Sequence, residues 1–339
     1  MTNATKTLAL VFAATLALAV ASSWSWSGSS GASFQTELLP VDTSAVQAVR
    51  IAQGNGPTVR LQKADDGWTV SPDDGSASYP AQASSVDRLL NTLPSLPVKA
   101  VATRQTDKHP RYGVDSTGTT VTLLGSGDEE LGALLVGRTE FRSRNESDGK
   151  SSPMQRMRRQ GTNITYVRAP DRPDVYSVEA DLESMLNKSV TDWRDKTIWG
   201  VAQSDIQRVQ LTTTGDSATA DTSFRFQRTV PSDTAASPKP TWISDGDTLS
   251  TDAVSSVLTT VASPRASGFA ENTAPEDLSN PTHTVRLRLS DGSEHTLTLY
   301  PDPTSSDTYL ATASDYPYVA RIQKRRWDDV FKPRSTFLK

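Results

Sequence analysis

Alternation of hydrophobic and polar residues predicts short strands in the first half of the chain. Segments 46–51 and 58–63 alternate with a period of two, which is typical of strands with one buried face. A third short strand is predicted around Trp68, after the tight turn at 65–67. Apolar residues spaced three and four apart in 86–93 then predict one short amphipathic helix.

The second half of the chain repeats these elements in the same order. Strands are predicted over 206–211 and 223–227, a short strand around Trp242, and a helix over 253–261. Alternating hairpin segments close each half, and no strand-helix-strand rhythm runs through either. The pattern therefore predicts an α+β fold of two tandem, similar domains, each an antiparallel meandering sheet with one or two short helices.

The residues before the first copy predict export. An uncharged apolar run over 8–21 follows Lys6, and the small residues at 19–21 fit the rule for signal-peptide cleavage. As a helix this run would span about 21 Å, less than the hydrocarbon core of about 30 Å. It is therefore either a cleaved signal peptide or, extended to Trp26, a retained membrane anchor. Both interpretations predict a periplasmic location, free or anchored in the inner membrane and facing the periplasm.

These features divide the chain into four predicted segments. Residues 1–21 are the signal peptide or anchor, and 22–42, which begin with a Ser- and Gly-rich stretch, are a flexible tether. The first repeat domain is predicted over 43–198 and the second over 199–335.

Composition narrows the range of functions without indicating a reaction. A net charge of -4 over 339 residues is unlike that of a general nucleic-acid binder, which needs a basic face. The lack of cysteine removes disulfides, thiolate metal sites and cysteine nucleophiles. The three histidines do not stand at a metal-ligand spacing, and neither a phosphate-binding glycine loop nor a Gly-x-Ser-x-Gly elbow occurs. We therefore predict a non-enzymatic protein with no catalytic residues, no metal, no cofactor and no nucleic-acid partner.

Several short motifs in a particular order give the chain a resemblance to a bacterial family. They are Gly67-Trp68, Leu89-Leu90, Tyr112-Gly113-Val114, Val136-Gly137, Val175-Tyr176 and Asp192-Trp193-Arg194-Asp195-Lys196. This order resembles the family named domain of unknown function 4340, with the second half as a degenerate copy that departs from the pattern at 274–278. The resemblance implies an exported, often membrane-anchored protein found beside ABC-type transporter components similar to those of gliding motility. It implies no catalytic residues.

The first copy contains a basic segment that the second copy lacks between its strands. The arginines of this segment that we predict to bind a partner are Arg138, Arg142, Arg144, Arg156, Arg158 and Arg159. A long loop without its own structure is usually functional or disordered. The segment is therefore either a docking arm for an acidic protein surface or anionic lipid headgroups, or a mobile solvated loop.

Two other places also differ between the copies. Tyr112 lies in a Tyr-Gly turn that the second copy lacks, and it is a further candidate for partner binding. Arg325 and Arg326 belong to a basic cluster beside Trp327 near the end of the second copy. That cluster either consists of cations near a helix end above a buried Trp327 or forms a membrane-surface patch.

The sequence leaves three functions open. The leading hypothesis is a non-enzymatic envelope protein that is an accessory or scaffold of an ABC-type transporter complex. Its partners would be permease subunits, and the inner membrane through an uncleaved N-terminal segment. The second is a periplasmic module that binds a glycan or peptide in a groove between the repeats. The third is a hydrolase with a dispersed carboxylate pair, which would need carboxyl groups with raised pKa values in one pocket.

Overall fold

The computed structural model describes residues 38–143, 161–215, 222–229 and 241–339. In these ranges the chain forms two antiparallel sheets of nine strands each and a few short helices. The predicted signal peptide or anchor, 1–21, lies outside the described residues. Within the described ranges, every helix is too short or too polar to cross a membrane.

The first sheet contains the strands of the first copy. They are β1 (Ala48–Gln53), β2 (Thr58–Ala64), β3 (Gly67–Pro72), β4 (Tyr79–Pro80), β5 (Val98–Thr103), β6 (Thr119–Leu124), β7 (Glu130–Ser143), β8 (Gly161–Arg168) and β9 (Val175–Val178). Their order across the sheet is β4-β3-β2-β1-β6-β7-β8-β9-β5. The helices of this part are α1 (Ala83–Thr92), α2 (His109–Tyr112) and α3 (Leu182–Leu186).

The second sheet contains the strands of the second copy. They are β10 (Ile206–Thr213), β11 (Thr222–Thr229), β12 (Thr241–Ser244), β13 (Asp247–Thr248), β14 (Gly268–Phe269), β15 (His283–Leu289), β16 (Glu294–Pro301), β17 (Thr308–Ala313) and β18 (Tyr316–Gln323). Their order across the sheet is β13-β12-β11-β10-β15-β16-β17-β18-β14. The helices here are α4 (Val190–Trp193), α5 (Thr251–Val261) and α6 (Lys324–Asp328).

The two sheets have the same topology, strand for strand. In each, the first strand of the copy lies between the second and the sixth strand, counted along that copy, and the fifth strand closes the far edge. Helices α1 and α5 both connect the fourth strand of their copy to the fifth. The predicted pair of tandem, similar α+β domains with antiparallel sheets is therefore confirmed.

The chain folds into two compact units, and it passes between them several times early in the sequence. The first unit comprises the described residues of Met1–Lys63, together with Ser71–Ser76 and Ser84–Lys188. The second comprises Ala64–Val70, Ala77–Ala83 and the described residues of Ser189–Lys339. The short segment that contains β4 thus belongs to the second unit, although it lies early in the chain.

Each unit buries the apolar face that its alternating strands predict. In the first, β1 presents Val49 and Ile51, both fully buried, and α1 buries Leu89. In the second, Phe226 of β11 is fully buried, and Trp242 packs edge-on against it with ring centroids 5.5 Å apart. Each fully buried side chain of this size stabilises its unit by about 1.5 to 3 kcal/mol.

Candidate functional site

Arg194, in the second unit, is buried without an ionic partner among the described residues. Only 3% of the residue is exposed. Its guanidinium carbon lies 3.5 Å from the ring centroid of Phe269, 3.7 Å from that of Tyr79 and 4.8 Å from that of Tyr318. No carboxylate of the described residues lies within 4.0 Å of its nitrogens. We call the three rings the aromatic cage. A desolvated cation on a ring face gains about 2 kcal/mol, which offsets part of the cost of burial.

Local backbone structure places Arg194 beneath Tyr79. Helix α4 begins at a capping box, in which Ser189 Oγ accepts from the backbone N–H of Asp192 at 3.2 Å and the Asp192 carboxylate accepts from the N–H of Ser189. Arg194 follows the last residue of this helix and forms an isolated antiparallel bridge with Ala81. The bridge holds the chain beside β4, and Tyr79 is therefore brought over the guanidinium.

The other two cage rings come from neighbouring strands of the second sheet. Strand β14 pairs with β18, with Phe269 opposite Ala320, and Tyr318 lies two residues before Ala320 on β18. The ring centroid of Tyr318 lies 5.7 Å from that of Tyr79 and 6.3 Å from that of Phe269. The cage thus forms because one strand pair and the β4 segment converge on a single side chain.

The aromatic cage lines a cavity of about 660 Å³ in the second unit. The loop 270–277 after β14 forms much of its wall, and Arg194 contributes to its lining. Glu271, Glu276 and Asp277 are exposed in this loop and also line the cavity. The volume lies within the range of about 300 to 1,000 Å³ that is usual for small-ligand sites.

The cavity offers a positive charge among aromatic walls, with carboxylates along the loop. Burial lowers the pKa of Arg194, while the nearby tyrosines and Glu271 oppose that shift. Arginine nevertheless stays protonated in proteins, so the site keeps its charge. Burial also raises the pKa of Tyr316 to about 12, and its ring packs against Tyr318 at 5.5 Å. Such a site can bind an anionic group of a ligand that also has apolar surface.

Strand β7 of the first unit places two of the predicted arginines beside an exposed phenylalanine. Arg138 and Arg142 are exposed, and Phe141 is 57% exposed, more than any other large hydrophobic residue of the described ranges. Arg138 pairs with Glu140 at 3.0 Å, whereas no described carboxylate lies within 4.0 Å of Arg142. We call Arg138, Phe141 and Arg142 the β7 patch.

The end of β7 that carries Phe141 and Arg142 extends past its neighbour β6. The pairing with β6 ends at Val136, whereas β8 continues to pair with β7 from Thr139 to Ser143. The ring of Phe141 lies over the backbone of Gly161 on β8, where an added Cβ would come within 2.1 Å of it. A two-stranded ribbon thus presents the patch.

The remaining predicted residues fall into two groups. Arg144, Arg156, Arg158 and Arg159 lie outside the described residues. Arg325 and Arg326 are exposed on α6, next to the buried Trp327. Tyr112 is half-buried: its ring centroid lies 4.7 Å from that of Tyr166, and its hydroxyl donates to the carbonyl of Ala102 at 3.3 Å.

Comparison with protein families matches the chain to the family described as domain of unknown function (DUF4340). The match covers residues 74–147 and 158–281, which is more than half of the chain. The chain belongs to the DUF4340 family. Its two matched segments agree with the predicted tandem copies. Comparison with curated proteins and comparison with solved structures give no match.

One pair of the DUF4340 motifs allows two backbone segments of the first unit to touch. A Cβ added at Gly137 would lie 2.1 Å from the carbonyl oxygen of Tyr112 and 2.8 Å from a methyl group of Val114. Gly113 itself has a φ of +65° at the end of α2, which favours glycine. The motifs Tyr112-Gly113-Val114 and Val136-Gly137 therefore pack against each other, and glycine at position 137 allows their close contact.

The last DUF4340 motif, Asp192 to Lys196, contains the caged arginine, which sequence reasoning did not single out as functional. The motif itself was a usable signal, because it places a cation beside a Trp in an otherwise polar stretch. The cage partners Tyr79, Phe269 and Tyr318 are scattered along the chain, and their meeting depends on sheet pairing. Residue types and spacing alone could not bring them together.

Proposed function

We propose that the protein is a non-enzymatic, exported component of the bacterial cell envelope that docks onto a membrane protein complex of the ABC-transporter type. The observation that carries this proposal is the β7 patch, an exposed phenylalanine and two exposed arginines at the end of a projecting ribbon. Aromatic residues and arginine are enriched where protein interfaces gain most of their binding energy. The apolar segment 8–21 supports a location at the outer face of the inner membrane.

The chemistry of the patch favours a partner that offers both carboxylates and apolar side chains. Arg142 has no described carboxylate within 4.0 Å, so a partner can supply one. Burying Phe141 against apolar side chains would contribute about 1.5 to 3 kcal/mol. Phe141 and Arg142 are neighbours on a regularly paired strand, so their side chains point to opposite faces of the ribbon. The permease-type partner would therefore surround the ribbon end, with apolar residues against the ring on one face and acidic residues against Arg142 on the other.

A pull-down from crosslinked membranes tests this docking. The double variant F141A/R142A should recover at least tenfold less permease subunit than the unaltered protein, because it loses both the ring and the cation of Arg142. A matched control is R286A/R288A, which removes two exposed arginines from β15; it should recover the normal amount. Equal recovery with both double variants, or recovery of no permease subunit by the unaltered protein, would contradict the proposal.

A second candidate function is that of a small-ligand binding module for a peptide or glycan. The cavity behind the aromatic cage favours it, since aromatic walls and one buried charge are typical of ligand sites. The sequence hypothesis places such a site in a groove between the repeats. The cavity described above is formed by residues of the second unit alone.

A further inference from the structure

We propose that Arg194 binds a carboxylate of a ligand that enters the 660 Å³ cavity of the second unit. The inference rests on the second candidate function above and adds the chemical class of the ligand. Its first support is the burial of a full positive charge without a described counter-ion within 4.0 Å. A buried charge is usually paired, and Arg194 lines the cavity, so a ligand bound there can supply the missing partner.

The aromatic cage determines how an anion can approach. The rings of Tyr79 and Phe269 lie 3.7 Å and 3.5 Å from the same guanidinium carbon. Two rings at these distances cannot share one face, so they cover opposite faces of the guanidinium plane. The ring of Tyr318 lies 4.8 Å from the same carbon, and its distances to the other two rings place it beside the guanidinium plane. Only the part of the N–H edge that Tyr318 leaves free remains for a ligand. A planar carboxylate matches that edge because it can accept two parallel hydrogen bonds.

The loop carboxylates restrict the rest of the ligand. Glu271, Glu276 and Asp277 line the cavity, and one Asp277 oxygen already accepts the N–H of Ala274 at 2.8 Å. Their negative charge repels a polyanion and favours a ligand with one carboxylate and an otherwise neutral or cationic body. The rings of Tyr79 and Tyr318 supply apolar wall beside the charge. A peptide with a free C-terminus or a small aromatic acid has this chemistry.

Binding of defined probes to the full chain tests the proposal. The probes are the tripeptide Ala-Ala-Tyr, the same tripeptide as its C-terminal amide, and phenylacetate, with affinity measured by ligand-observed NMR. The free acid should bind at least tenfold more tightly than the amide, since a charge-assisted bidentate contact is lost in the amide. Tripeptide binding without phenylacetate binding identifies a peptide source, and the reverse identifies a small acid.

Substitutions then assign the contact to Arg194. R194M should abolish binding of the acid probe, and R194K should weaken it while retaining some affinity, because lysine keeps the charge but not the bidentate edge. R288M, at an exposed arginine of β15, should bind normally. If R194M does not fold, the weaker binding of the acid probe by R194K tests the assignment.

Two outcomes would overturn the proposal in distinguishable ways. If the acid and the amide bind equally, or if R194M and R194K both bind the acid like the unaltered protein, the carboxylate assignment is wrong but the cavity still binds ligands. If neither acid probe nor the amide binds at millimolar concentration, both the assignment and the ligand-binding function fail.

Discussion

Two arginines of the second unit contact the same residue, Phe269, in opposite chemical situations. Arg194 stacks on its ring, whereas Arg321 donates from a guanidinium nitrogen to its carbonyl oxygen. Arg321 also pairs with Asp302 through Nε at 3.0 Å, and the Asp302 side chain is completely buried. Arg194 has rings and no described carboxylate within 4.0 Å. One cation is therefore part of a closed network and the other is open to a cavity.

The closed network satisfies its buried carboxylate completely. Asp302 accepts from the backbone N–H of Thr304 at 2.9 Å, from its hydroxyl at 2.6 Å and from the hydroxyl of Thr308 at 2.7 Å. Burial alone would raise the pKa of Asp302, but these bonds and the one from Arg321 outweigh it and lower the pKa to about 2. Arg321, a cation with a structural role, thus has Asp302 as its counter-ion at the end of β16 in the second sheet.

The largest expected difference in stability is between the variants that remove Arg321 and Arg194. R321M leaves Asp302 buried with an uncompensated charge, so we expect it to lower the free energy of unfolding by about 3 kcal/mol. R194M removes a charge that has no described counter-ion and keeps an apolar chain of similar length. It should change the free energy of unfolding by less than about 1 kcal/mol, because the lost cation–π contacts are offset by the lost cost of desolvation.

Urea unfolding of the three proteins measures this difference. Unchanged m-values would show that the variants differ in stability and not in the compactness of the unfolded chain. Equal losses in R194M and R321M would mean that the caged arginine is a structural residue like its neighbour. In that case the contrast between Arg194, which lines the cavity, and Arg321, which is paired with Asp302, would not hold.

Acid sensitivity of the Asp302 network is the next largest effect. The pKa of Asp302 is lower in the folded protein than its ordinary value of 3.8, so folding favours the ionised form. Its contribution is therefore complete above about pH 5 and is lost as the pH falls through about 2. The stability difference between the unaltered protein and D302N should narrow by about 2 kcal/mol between pH 6 and pH 2.

The matched control for this experiment is D307N, at an exposed aspartate of the same loop. Its difference from the unaltered protein should stay near zero across the same pH range. If the stability difference between the unaltered protein and D302N does not change with pH, folding does not favour the ionised form of the Asp302 carboxylate. R194M should show the same acid profile as the unaltered protein, because the caged arginine is not part of this network.

Sequence reasoning predicted the parts of the fold that depend on local pattern. The strand pair 206–211 and 223–227 and the helix over 253–261 correspond to β10, β11 and α5. Period-two alternation and helical spacing are properties of neighbouring residues, so they can be recognised in a single sequence. The repeat and the family resemblance were predicted for the same reason, since ordered local motifs carry both.

The caged arginine could not be predicted in this way. Tyr79 and Tyr318 approach Arg194 only because an isolated bridge at Ala81 and the pairing of β14 with β18 bring distant segments together. Nothing in the spacing of these residues along the chain indicates a shared site. A buried cation is also unexpected from composition, because arginine is normally assigned to the surface.

The smallest expected difference in stability concerns two tyrosine hydroxyls of the second unit, one paired and one not paired within the described ranges. Tyr309 donates to Asp328 Oδ1 at 2.7 Å and accepts from Lys324 Nζ at 2.9 Å, whereas the buried Tyr316 hydroxyl has no hydrogen-bond partner among the described residues. Y309F should cost about 1 kcal/mol, and Y316F should leave stability unchanged or raise it by up to about 1 kcal/mol. Thermal melts compare the two. A loss in Y316F as large as that in Y309F would mean that the Tyr316 hydroxyl is paired after all.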